Sequence, residues 1–261
     1  MTDRRRRQKE LRTARREAEK KSKARRELGR RLGFGLGFGV LIIALFVLGS
    51  LGDREGSLPG SYQGYRNQPT ACDSDAPPAE SRQSFSEPTP QSDITASSHV
   101  LAKIDTSCGE IVIDLDTARS PQTVNSFVFL AREGFYDGTV FHRINSGFVI
   151  QGGDPDASGT GGPGYRIPDE HPEAGFDFAP GVVAMANAGR GTTGSQFFFV
   201  VGETAAALNP TFNILGSVVS GTDTLQRIEQ VPTARRPASV ERSLPLESVY
   251  INSITIEVTG S

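Results

Sequence analysis

The sequence predicts a mainly β domain, a closed barrel capped by two helices, carried behind a single N-terminal transmembrane helix. Three observations lead there. Many short β-like segments follow residue 99, only two helical stretches interrupt them, and one uncharged stretch of twenty residues precedes them all.

The 261 residues carry a formal charge of −2, an average of two parts with opposite sign. Residues 1–31 hold 15 Lys/Arg against 5 Asp/Glu, and the other 230 hold 13 against 25. A basic tail joined to an acidic body calls for two separate readings. The tail, densest at Arg4-Arg5-Arg6-Arg7 and Lys20-Lys21, reads as a solvated cytoplasmic segment. Near a membrane it gains about 1 kcal/mol per basic residue from anionic headgroups. No aromatic side chain interleaves these charges to stack on bases, so no nucleic-acid partner is expected.

Residues 32–52 follow, uncharged from Leu32 to Leu51. Twenty such residues cross a hydrocarbon core of roughly 30 Å as a helix. The positive-inside rule sets the tail in the cytoplasm and the rest of the chain on the other side. A cleaved signal peptide is the competing reading. The long basic region ahead and the lack of a clear A-x-A site favour a retained anchor. Gly33/Gly37 and Gly35/Gly39 repeat a spacing that lets two helices approach closely, which points to a weak homodimer.

Residues 53–98 are rich in Ser, Pro, Gln, Gly and Asp without sustained apolar periodicity, and read as a flexible linker. Cys72 lies in this segment and Cys108 in the body; these are the two cysteines of the chain. Two are too few for a disulfide-rich scaffold or a four-ligand zinc site. Both fall on the extracytoplasmic side, where either one disulfide tethers the linker to the first hairpin or two unrelated thiols remain.

The body, 99–261, is long enough to bury a core. Segments 100–105 and 110–115 alternate around the turn Thr106-Ser107-Cys108-Gly109. Ser120-Pro121 reads as N-cap and first helical residue, Val124, Phe127, Val128 and Ala131 as the buried stripe, and Gly134 as the stop. Strand-like segments follow at 139–144, 148–151, 182–186 and 196–201. A short helix over 224–230 turns Leu225 and Ile228 inward, and 249–258 is the closing strand.

Gly159-Thr160-Gly161-Gly162-Pro163-Gly164 matches a dinucleotide fingerprint literally. That motif must open a helix, and Pro163 with Tyr165-Arg166-Ile167-Pro168 does not, so a tight surface loop is expected. His99, His142 and His171 lack metal-ligand spacing, and His142 reads as structural. No G-x-S-x-G elbow or Cys–His pair offers a nucleophile. Neither a cofactor nor a metal is expected.

Phe141-His142-Arg143 is followed by Gly147-Phe148-Val149-Ile150-Gln151-Gly152-Gly153-Asp154. Then come Met185-Ala186-Asn187-Ala188 and Gly194-Ser195-Gln196-Phe197-Phe198. In order and spacing these resemble the signature of the cyclophilin family, over essentially all of 100–258. The resemblance implies an eight-stranded antiparallel barrel with two capping helices, and peptidyl-prolyl cis/trans isomerase activity on proline-containing polypeptides. Rotating an Xaa–Pro bond has no covalent step. Its barrier is lost amide resonance, about 18–20 kcal/mol for peptide bonds, and catalysis is tighter binding of the twisted state.

By that resemblance Arg143 is the catalytic donor, to the prolyl nitrogen or the neighbouring carbonyl oxygen. Phe148, Val149, Phe198, Leu208 and Phe212 are its proline pocket. Gln151, Asn187 and Gln196, with Ala186 and Ala188 beside them, orient the substrate backbone. Three positions depart from the family pattern. Val149 stands where Met is common, Phe212 stands where His is common, and no Trp lies near Ala207 in a chain without Trp. These departures bear on substrate preference and imply weaker binding of cyclosporin-type inhibitors. The expected function is an isomerase assisting the folding of exported or membrane proteins. A binding module that docks one proline-containing loop is the alternative, and the altered wall at 207–212 keeps it open.

Overall fold

In the computed structural model, which describes residues 58–79, 82–237 and 239–259, the first alternating segments pair as a hairpin. Strand β1 (His99–Thr106) runs antiparallel to β2 (Gly109–Leu115). Val100, Ala102 and Ile104 of the first and Ile111, Ile113 and Leu115 of the second are buried, the period of two that a half-buried sheet requires. Gly109 closes the turn at φ +120°, a conformation that a side chain would strain.

Among the described residues one short helix, α1 (Tyr62–Arg66), precedes this hairpin, and α2 (Pro121–Arg132) follows it. Pro121 opens α2, the anticipated stripe is buried, and Gly134 ends it at φ +68°. Ser120 occupies the N-cap position without a side-chain cap bond. The carboxylate of Glu170 does that work from another part of the chain. It accepts from the N–H groups of Gln122 at 3.0 Å and Thr123 at 2.8 Å, placing negative charge at the positive end of the helix dipole.

The remaining elements are β3 (Thr139–Val140), β4 (Arg143–Asn145), β5 (Val149–Gly152), β6 (Val182–Met185), β7 (Phe197–Val200), β8 (Ile214–Ser220), α3 (Thr222–Glu229), β9 (Thr233–Arg235), β10 (Arg242–Pro245) and β11 (Tyr250–Thr259). Nine strands make one antiparallel sheet in the order β3-β11-β1-β2-β8-β6-β7-β5-β4, and β9 and β10 pair separately. The expected eight-stranded closed barrel is thus corrected to a nine-stranded curled sheet. Its first and last strands are separated only by Phe141 and His142. The segment anticipated as one strand at 139–144 bends at those two residues, pairing with β11 before the bend and with β5 after it. The sheet therefore returns on itself through the chain. Phe127, Tyr136, Phe197 and Phe199 fill its interior, with Phe197 edge-on to the other three at 5.6–5.7 Å.

The expected flexible linker over 53–98 is corrected for residues 58–79 and 82–98, which fold onto the body. Tyr65 and Ala71 are buried, and Phe85 meets Phe129 edge-on at 5.0 Å. Arg132 donates to both carboxylate oxygens of Asp93, at 2.9 and 2.6 Å. Cys72 and Cys108 are joined by a disulfide. These anchors are single residues spaced far apart, each filling its own site, so they leave no periodic signal.

The basic tail, the helix expected over 32–52 and its glycine contacts lie outside the described residues. Among the described residues, no helix is long and apolar enough to cross a membrane.

Candidate active site

Strand register assembles the site. Arg143 pairs with Gln151 across β4 and β5, Gln151 with Phe198 across β5 and β7, and Phe198 with Ala184 across β7 and β6. Residues directly opposite on antiparallel strands share a face, so these four form one row. Their neighbours Ile144, Ile150, Phe197, Phe199 and Met185 point the other way, into the core. Alternation along four strands thus carries Arg143 and its partners outward.

Beside this row lies an apolar cluster. Val149 and Phe198 are buried in it, with Ala184, Phe178 and Ile214; Phe148, Ala186, Leu208 and Phe212 are half-buried against it. All five residues anticipated as a proline pocket therefore fall in one cluster, two buried within it and three packed half-buried against it. Phe212 stands edge-on to Phe198 at 5.4 Å and to Phe178 at 6.2 Å. A 3₁₀ turn (Glu203–Ala207) delivers Leu208, anchored by buried Ala205 and by the Thr204 hydroxyl, which donates to the carbonyl of Gly147.

The polar groups form a relay beside the apolar cluster. Arg143 Nη1 donates to Gln151 Oε1 at 3.2 Å, and Gln151 Nε2 to Gln196 Oε1 at 2.9 Å. Gln196 Nε2 then donates to the carbonyl of Gly161 at 2.9 Å. Gly161 is fixed in turn by buried Asp154, whose carboxylate accepts from the N–H groups of Asp156, Gly159 and Gly161 at 2.6–3.1 Å. The glycine-rich loop is thus a frame for the far end of the relay. The guanidinium of Arg143 also lies 5.5 Å from the centre of the Phe148 ring, at the edge of the apolar cluster.

Asn187 ties its own loop to the opposite wall, donating from Nδ2 to the carbonyl of Thr211 at 2.8 Å beside Phe212. The N–H of Ala186 goes to the Gln196 carbonyl at 2.8 Å, and exposed Ala188 gives its N–H to Thr192 Oγ1 at 2.8 Å. His142 is buried, and burial, reinforced by the charges of Arg236 and Arg143, pushes its imidazole down to about 3.

Two side chains at the site were not anticipated, Glu241 and Arg236, both on the turn between β9 and β10. Glu241 accepts from Arg143 Nε at 2.7 Å and from Nη2 at 3.0 Å. Burial works to raise the Glu241 carboxyl, but the hydrogen bonds and charge of Arg143, with Ser243 and Arg236, hold it below the usual carboxylate range. Arg236 Nη2 donates to the carbonyl of His142 at 2.6 Å. In the sequence these residues form an ordinary charged turn, with no local pattern that sets them apart.

Among the described residues, no group of His, Cys, Asp or Glu is arranged to hold a metal ion. What the site offers is a fixed cation and a line of amides beside an apolar floor. That suits seating a small ring and acting on its backbone by hydrogen bonding.

A curled antiparallel sheet carrying an arginine beside an apolar cluster is the arrangement of a cyclophilin-like protein. The family model described as "Cyclophilin type peptidyl-prolyl cis-trans isomerase/CLD" matches residues 101–256, and the chain belongs to that isomerase family. It is 44% identical over 172 residues to peptidyl-prolyl cis-trans isomerase B of Streptomyces anulatus, covering 60% of this chain and 95% of the relative. It is likewise 44% identical over 171 residues to peptidyl-prolyl cis-trans isomerase A of Mycobacterium tuberculosis, covering 59% and 91%. A crystal structure of a Cryptosporidium parvum cyclophilin type isomerase superposes with a TM-score of 0.55 at 28% identity, covering 62% of this chain and 99% of that one. A second crystal structure of that protein, in the presence of the dipeptide Ala-Pro, superposes with a TM-score of 0.55 at 29% identity, covering 60% and 98%.

Proposed function

We propose that this chain accelerates Xaa–Pro isomerisation in polypeptides that fold outside the cytoplasm, with Arg143 as the donor that favours the twisted bond. The observation that carries the reading is the row Arg143–Gln151–Phe198, which sets a tethered guanidinium beside an aromatic floor. A proline ring seated on Phe198 and Val149, between the rims of Phe148 and Phe212, brings its nitrogen towards Arg143. As the amide twists, that nitrogen regains a lone pair. A permanently charged donor already in place stabilises it without reorganising at the moment of reaction.

Display from a membrane, with the body on the extracytoplasmic side, is part of the same proposal. Its support is the basic tail followed by twenty uncharged residues, together with a disulfide, which persists in oxidising compartments. Close approach of two such helices through Gly33/Gly37 and Gly35/Gly39 accompanies it.

Arg143→Lys tests the chemical role, because it keeps the charge and removes the planar fork. With the full chain in detergent micelles, kcat/KM on a proline peptide is expected to fall roughly 100-fold. A lysine variant as active as wild type would overturn the assignment. Protease added to the outside of intact cells tests the topology: loss of the body with the tail protected is expected, and the reverse pattern would contradict it.

A further inference from the structure

We infer that the turn joining β9 and β10 is a clamp that positions Arg143, with Glu241 as its positioning residue; this rests on the isomerase reading above. A guanidinium has five N–H donors and a flexible stem, so aiming it costs conformational freedom unless something holds it. Here Glu241 takes Nε and one N–H of Nη2 in a bidentate pair at 2.7 and 3.0 Å. Gln151 takes one N–H of Nη1 at 3.2 Å. Three donors are thereby committed, which leaves one on each terminal nitrogen for a substrate. The two side chains of the ion pair are 26% and 28% exposed, sheltered enough that water screens the pair only in part.

The clamp is itself braced. Arg236 at the start of the turn gives its backbone N–H to the Glu241 carbonyl at 3.0 Å, and its Nε to Ser243 Oγ at 3.0 Å. Its Nη2 holds the His142 carbonyl at 2.6 Å. The Glu241 N–H goes to Ser239 Oγ at 3.1 Å. One short turn therefore grips the backbone just before Arg143 with one end and the Arg143 side chain with the other. Glu241 touches no reacting atom in this arrangement. It acts by fixing where the arginine points, so its removal is expected to lower kcat more than it raises KM.

The test compares wild type, Glu241→Ala and Glu241→Gln in the full chain, by isomerase kinetics and by the Arg143 Nε–H resonance in ¹⁵N NMR. Glu241→Ala is expected to lose roughly 10- to 100-fold in kcat with KM nearly unchanged. The Nε–H signal of Arg143 should broaden into solvent exchange. Glu241→Gln keeps one acceptor oxygen and should recover part of both readouts, and it also covers the case in which the alanine variant folds poorly. A Glu241→Ala enzyme as fast as wild type, or faster, would overturn the clamp and make Glu241 a bystander or a brake. If wild type itself shows no turnover, the isomerase reading fails instead. The resonance still decides the clamp then, because an unchanged Arg143 Nε–H signal in Glu241→Ala overturns it.

Discussion

The hydroxyl of Tyr65 donates to the carbonyl oxygen of His142 at 3.0 Å, so a residue 77 positions upstream holds the peptide immediately ahead of Arg143. Burial pushes the Tyr65 phenol well above its ordinary range, which keeps it a neutral donor at any working pH. Tyr65→Phe should cost about 1 kcal/mol of stability in denaturant unfolding. The His142 carbonyl keeps its second donor, Arg236, so kcat/KM should stay close to wild type. A large loss of activity with unchanged stability would contradict this division of labour.

The same N-terminal segment is stapled by Cys72–Cys108, which closes 36 residues of chain. In the chain-entropy model that constraint is worth about 4 kcal/mol. Replacing both cysteines by serine should lower the melting temperature, and reductant should lower that of wild type but not of the double variant. Equal melting of wild type with and without reductant would count against a formed bond.

His142 makes stability depend on pH. Its folded value lies at about 3 against an ordinary 6.5, so between these limits the unfolded chain binds a proton that the folded chain refuses. This contribution to stability is therefore fully present above 6.5 and is lost as pH falls through the window towards 3. The slope reaches at most about 1.4 kcal/mol per pH unit. Denaturant unfolding at two pH values inside and above the window, in wild type and His142→Gln, should show a steeper loss in wild type. An imidazole in the folded chain that titrates near its ordinary value by NMR would overturn this.

Phe212 packs half-buried on the apolar cluster, meeting Phe198 and Phe178 edge-on. Phe212→Ala should raise KM for a proline peptide by roughly tenfold or more, as expected for uncovering an aromatic contact. Ala207 is exposed on the turn that delivers Leu208. By calorimetry, Ala207→Trp should bind a cyclosporin-type inhibitor more tightly than wild type, and equal affinities would dismiss the missing indole as a cause.

Local patterns made much of this molecule legible. Strands β1, β2 and β11 and helix α2 each carry a period of apolar residues, β5, β6 and β7 are short apolar runs, and the order of motifs brought Arg143, Gln151 and Phe198 to one site. Strand β8 escaped because Gly216 and Ser217 interrupt its apolar run, and its far end, including Val219, is exposed. Helix α1 is five residues long and buries Tyr65 alone, too little to register as a period. Glu241 escaped for a different reason. It meets Arg143 across 98 positions, and a tertiary ion pair of that kind leaves no mark on the residues around either partner.

Arg143, held beside the apolar floor, is proposed to drive rotation about the Xaa–Pro bond. Exchange NMR on an Ala-Pro peptide with catalytic amounts of the full chain, wild type and Arg143→Ala, tests it most directly. Fast cis–trans exchange with wild type, lost in a variant whose circular dichroism is unchanged, is the expected result. Exchange that survives in Arg143→Ala, or that a well-folded wild type fails to produce, would contradict the account.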